Sequence, residues 1–189
     1  MAGFEFLFSF YSLLLGLSVA SVATGLANSW RLRGKTSMAS TTLLLGLLIL
    51  FSAAQQWLSF WGARDRLTMG PWEVLTCLAM SLPYIFISHA MFPHEKEQCT
   101  ALGAYYLANS RALMLALAAP PTVSFLYNLS QQELGAHQIA SFLSDTASFS
   151  HYWLRMALPT GLAFSKSQKR HVLGLGLLVI NIVFLIFSR

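Results

Sequence analysis

Five stretches of this chain, residues 6–30, 36–63, 74–94, 112–132 and 171–188, contain no Asp, Glu, Lys or Arg, and each runs for 18 residues or more. About 20 apolar residues in a helix cross the roughly 30 Å hydrocarbon core of a bilayer. Lipid offers the backbone no hydrogen-bonding partners, so such stretches fold as helices that satisfy their own peptide groups. The composition agrees: 56% of the 189 residues are hydrophobic and 10% are charged, against about 25% charged in soluble domains. The expectation is an all-α, polytopic integral membrane helix bundle, a single membrane domain with little room for a soluble module.

A further stretch, residues 138–164, is long enough to cross but carries Asp145, His151 and Arg155. At about 100° per residue, Ser141, Ser144, Asp145, Ser148, His151, Tyr152 and Arg155 fall within an arc of about 120°. Ile139, Phe142, Leu143, Phe149, Trp153, Leu154 and Ala157 lie opposite. Hydropathy leaves the stretch open between a span, a re-entrant segment and an interfacial amphipathic helix, and the placement of basic residues decides. With six spans, the connections after the first, third and fifth hold Arg31, Arg33, Lys35, Lys96, Lys166, Lys169 and Arg170, while the other side holds Arg64, Arg66 and Arg189. That bias obeys the positive-inside rule. With five spans, Arg155, Lys166, Lys169 and Arg170 move to the other side and the bias vanishes.

The reading is therefore six transmembrane helices, at about 4–30, 39–61, 72–92, 108–129, 138–164 and 171–188, with both termini outside and a bacterial inner (plasma) membrane as the expected location. The net charge of +5 reflects insertion topology and lipid headgroups, and no basic face is long enough to track nucleic-acid phosphates. Trp57, Trp61 and Trp72 form an outer aromatic belt and Trp30, Tyr105 and Tyr106 an inner one, while Trp153 fits neither. Residues 98–110 read as a lead-in along the inner headgroups, which makes Arg111 interfacial. The first run has Glu5 in place of the basic region of a signal peptide and is read as retained. Cys77 and Cys99 sit roughly 30 Å apart on helical rise, beyond disulfide reach.

Two packing signals stand out. Ser12, Gly16, Ala20, Thr24 and Asn28 recur every four residues in the first span as a small-residue ridge that lets two backbones approach, either within the chain or in a homo-oligomer. In the last span Gly174 and Asn181 share a face, and an asparagine at that depth bonds a neighbouring helix. Pro83, Pro120, Pro121 and Pro159 interrupt the third, fourth and fifth spans and remove backbone donors there, as broken transporter helices do at substrate sites.

Chemical motifs are sparse. The glycines of Gly174-Leu175-Gly176 lack the third glycine of a dinucleotide fingerprint. Asp145 lies about 9 Å along the helix from His151 and cannot orient it for Ser148 in a serine-protease arrangement. His89 and His151 allow a weak haem-pair reading; His94, Glu95 and Cys99 match no standard metal spacing. Asn128-Leu129-Ser130 forms a glycosylation sequon. No metal or cofactor is expected, and nothing marks an enzyme.

The polar arc of the fifth span carries the functional expectation, since ionisable groups at membrane depth face a protein interior or a water-filled path. A small solute, proton or anion moves along Ser144, Asp145, Ser148, His151, Tyr152 and Arg155, with Arg155 attracting an anionic group, His151 as gate or proton-linked group and Asp145 as outer contact. The alternative is a non-catalytic membrane subunit or sensor whose polar fifth helix docks a partner chain. An enzyme acting on lipid is a third class.

Overall fold

A helix in lipid is stable wherever its peptide groups are internally bonded, and in the computed structural model 92% of the described residues, 2–31, 40–65, 70–93, 102–131 and 146–187, are helical and none is in a strand. Among the described residues six helices follow one another: α1 (Ala2–Arg31), α2 (Ser40–Gly62), α3 (Pro71–Ala90), α4 (Leu102–Gln131), α5 (Thr146–Leu162) and α6 (Gln168–Phe187). All except α5 are long and apolar enough to cross a membrane, so the protein is membrane-embedded. The described part of the expected helical lead-in, from Leu102 to Ser110, is continuous with the span as the first turns of α4. The prolines do not break their helices, because α3, α4 and α5 continue through Pro83, Pro120, Pro121 and Pro159. Only donors are lost there, among them the N–H that would reach the Arg155 carbonyl from Pro159.

Pairwise packing closes the six helices into a ring in the order α1, α3, α4, α5, α6, α2, with α2 also touching α3 and α4 across the middle. Specific contacts fix the directions. Ser21 donates to the Ser88 carbonyl, and a side chain at Gly25 would strike the Phe92 ring, so α1 and α3 run parallel. Trp57 donates to Ser12 and Leu26 covers Gly46, which sets α2 antiparallel to α1. Helix α5 descends beside α6 in the opposite sense, with Leu158 and Leu162 against Gly174 and His151 against Asn181. Although only 17 residues of α5 are helical here, it accompanies α6 over most of its length.

The bundle is unevenly filled. Towards the end where α1 stops and α2 starts, Leu45, Leu48, Ile49, Ile87, Met91, Leu113 and Met114 leave almost no surface exposed. The same half holds His171, fully buried, which accepts from the Tyr106 hydroxyl at Nδ1 (2.9 Å) and donates from Nε2 to the Ser165 carbonyl (2.9 Å). That bond pair fixes the imidazole tautomer and pins the α5–α6 turn to α4. We call this the closed end, and the other the mouth.

The small-residue ridge of α1 meets the chain at Ser12, which accepts from Trp57, but not along the rest of its length. Ala20, Thr24 and Asn28 are exposed, and no atom comes within 4 Å of a Cβ built at Gly16. The buried stripe is instead Leu7, Tyr11, Leu15, Ser18 and Val22, because the larger apolar residues gain more by leaving the surface than small ones do. Close approach in α1 occurs at Gly25, off the ridge.

Candidate functional site

At the mouth the six helices splay around a cavity of about 550 Å³. Its walls come from the start of α1, the end of α2, the start of α3, the end of α4, the start of α5 and the end of α6: Tyr11, Gln55 to Ala63, Glu73 to Met80, Pro121 to Asn128, His151 to Arg155, and Leu185. This is a volume typical of small-molecule sites. The ring order explains the convergence, since three helices begin and three end on this side.

The floor is a polar layer centred on Arg155. Its Nη1 donates to Gln55 Oε1 at 3.0 Å, and Gln55 Nε2 donates onward to Ser59 Oγ at 2.9 Å. The Tyr84 side chain, 1% exposed, lines the same layer beside Ser52 and Arg155. Immediately beneath lies a void of about 10 Å³ lined by Ser52, Tyr84, Pro121, Arg155 and Pro159, room for about one water. The described hydrogen-bond partner of the guanidinium is thus neutral. Among the described residues the ion pair present is Arg64–Asp65, on the exposed surface.

The walls carry further polar groups. His151 Nδ1 accepts from Asn181 Nδ2 at 2.8 Å, because the amide nitrogen has only protons to offer. Tyr152 Oη accepts from Asn128 Nδ2 at 3.0 Å, and its ring tilts against Phe125. The Tyr11 hydroxyl, on a side chain 1% exposed and stacked on Phe60, has no hydrogen-bond partner although it lines the cavity. Glu73, in the first turn of α3, is the one carboxylate among the described lining residues.

Of the residues read from sequence, the structure brings His151, Tyr152 and Arg155 together in this cavity. Ser144, Asp145 and the side chain of Ser148 lie outside the described residues, as do His94, Glu95 and Cys99. His89 is not a partner for His151: it is exposed towards the closed end, its Nδ1 bonded to the Ile85 carbonyl, so no haem pair forms. The described residues contain no cluster of three His, Cys, Asp or Glu that would hold a metal. The sequon residue Asn128 is inside helix α4 and engaged with Tyr152, which removes it as a glycosylation acceptor. Arg111 is exposed with its guanidinium over the Phe164 ring, 5.3 Å from the centroid, and takes no part in the cavity.

Sequence reasoning missed Gln55, Gln56, Glu73, Tyr11 and Tyr84. The available signal was the pair of adjacent amides in an otherwise charge-free span, since two polar side chains that cannot reach headgroups need interior partners. Comparison with protein-family models, with curated proteins and with solved structures finds no match.

Proposed function

We propose that this protein binds a small anionic solute in the mouth cavity and carries it across the membrane, with Arg155 as the anion anchor. The observation that carries the reading is a guanidinium at the base of an open cavity whose described acceptor, Gln55, is neutral. A charge at this depth is costly without compensation, and a bound anion supplies what Gln55 does not. Arginine matches carboxylate or phosphate oxygens in a two-pronged geometry.

A cavity open at one end above a packed floor corresponds to one access state of a carrier. Prolines at the floor, Pro121 and Pro159, weaken the helices α4 and α5 where a gate would have to move. The membrane is taken to be a bacterial inner membrane with the mouth outside, because the basic-rich connections lie at the closed end of the chain's six crossings. His151 and Asn181 form the side wall of the path and hold its geometry. The subunit reading is weaker, because the polar side chains of α5 that would meet a partner turn into the bundle's own cavity.

The test is thermal unfolding of the purified protein in detergent with acetate, phosphate or sulfate, against chloride at equal ionic strength. At least one anion raises the midpoint of the wild type and leaves Arg155→Gln unmoved; uptake of that anion into proteoliposomes then separates carriage from binding. Equal midpoints in all salts for the wild type would overturn the anchor assignment.

A further inference from the structure

The cavity holds a second charge. Glu73 faces it from the first turn of α3 and has no hydrogen bond or salt bridge to any described residue. Arg155 faces it from the floor, its described acceptor the neutral Gln55. The lining also holds the Tyr11 hydroxyl, buried and without a described partner. A site with an anion at its rim and a cation at its base, neither in an ion pair among the described residues, is complementary to a molecule carrying both charges.

Resting on the anion reading above, we infer that the ligand is a small zwitterion, its carboxylate on Arg155 and its cationic end at Glu73. The spacing supports separated charges. Glu73 and Tyr84 are 11 positions apart on α3, about 16 Å of helical rise. Aromatic side chains on a helix lean towards its N-terminus, here towards the mouth. Glu73 leans the same way from its own position, so its carboxylate and the level of Tyr84, where Arg155 lies, stay roughly 16 Å apart along the helix axis. That gap is too wide for a direct Glu73–Arg155 pair and fits an ω-amino acid better than an α-amino acid. A simple anion would leave Glu73 opposing its entry; a zwitterion makes both charges attractive.

Binding constants of the full-length protein in detergent for γ-aminobutyrate and ε-aminocaproate, against butyrate and caproate, test this. The amino acids bind about tenfold more tightly than their desamino counterparts in the wild type, a difference of about 1.4 kcal/mol. Glu73→Gln removes that preference, and Arg155→Gln abolishes binding of all four. If Arg155→Gln does not fold, Gln55→Glu, which gives Arg155 a counter-ion, takes its place. Equal affinity for amino and desamino ligands, with dependence on Arg155 retained, overturns the zwitterion and leaves the anion reading standing. Failure of all four to bind overturns the zwitterion, while the anion anchor falls only if acetate, phosphate and sulfate also leave the wild-type midpoint unmoved.

Discussion

Asn181 of α6 and His151 of α5 meet at 2.8 Å, Nδ2 to Nδ1, while the amide's Oδ1 is buried without a partner. The pair ties the two helices that form one side of the cavity, and it does so at the price of one unsatisfied acceptor.

Removing His151 therefore leaves the Asn181 amide with neither end bonded. His151→Ala lowers stability by about 1–3 kcal/mol, the cost of an unmatched buried polar group. Asn181→Leu costs less, because it deletes the orphaned oxygen along with the bond. The double variant recovers part of the loss, a coupling on the order of 0.5–3 kcal/mol. Detergent unfolding of the four proteins checks this, and strictly additive effects would show that the contact does not hold α5 to α6.

Gln55 is the neutral acceptor whose replacement reports on Arg155 most directly. Gln55→Glu keeps the shape and gives the guanidinium a carboxylate at the same position. Breaking a buried charge pair typically costs about 3–5 kcal/mol, so a pair once formed competes strongly with any incoming anion. The variant stays folded and binds the anions that shift the wild type at least about tenfold more weakly. Titration in detergent reads both quantities; undiminished anion affinity would place the ligand elsewhere than at Arg155.

Two glycines separate packing inside the chain from packing outside it. A Cβ at Gly174 comes within 2.7 Å of Leu162 and 2.9 Å of Leu158, whereas one at Gly16 meets nothing within 4 Å. Gly174→Leu destabilises the monomer by about 1–3 kcal/mol through overpacking. Gly16→Leu changes monomer stability by less than about 0.5 kcal/mol. If the exposed ridge of α1 serves a homo-oligomer, Gly16→Leu instead lowers the mass seen by native mass spectrometry. A monomer destabilised by Gly16→Leu would contradict the open surface at that position.

The architecture was legible in the sequence because the signal for a membrane helix is long and local: charge-free runs at 6–30, 36–63 and 171–188 map onto α1, α2 and α6. The inward face of α5 was legible too, since His151, Tyr152 and Arg155 cannot all face lipid. What the sequence hid is pairing across helices. Gln55 and Arg155 are 100 positions apart and meet only because α2 stands next to α6 and crosses towards the centre. The α1 ridge misled for a related reason: four-residue spacing of small side chains marks where a helix can be approached, without saying that a neighbour is there.

Orientation remains open to a direct test. If the positive-inside count reflects the inserted protein, reporter fusions at Ser37, at Glu97 and after Lys169 all report the cytoplasm, because those positions lie among the basic residues of the closed-end connections. A fusion after Arg189 reports the exterior. The fusion after Lys169 is the decisive one, since α5 must complete its crossing for Lys169 to share a side with Ser37. An exterior signal there would leave five crossings and turn Lys166, Lys169 and Arg170 outward. It would also put the loop joining α5 to α6 on the same side as the mouth, which the antiparallel run of Leu162 against Gly174 and His151 against Asn181 does not accommodate.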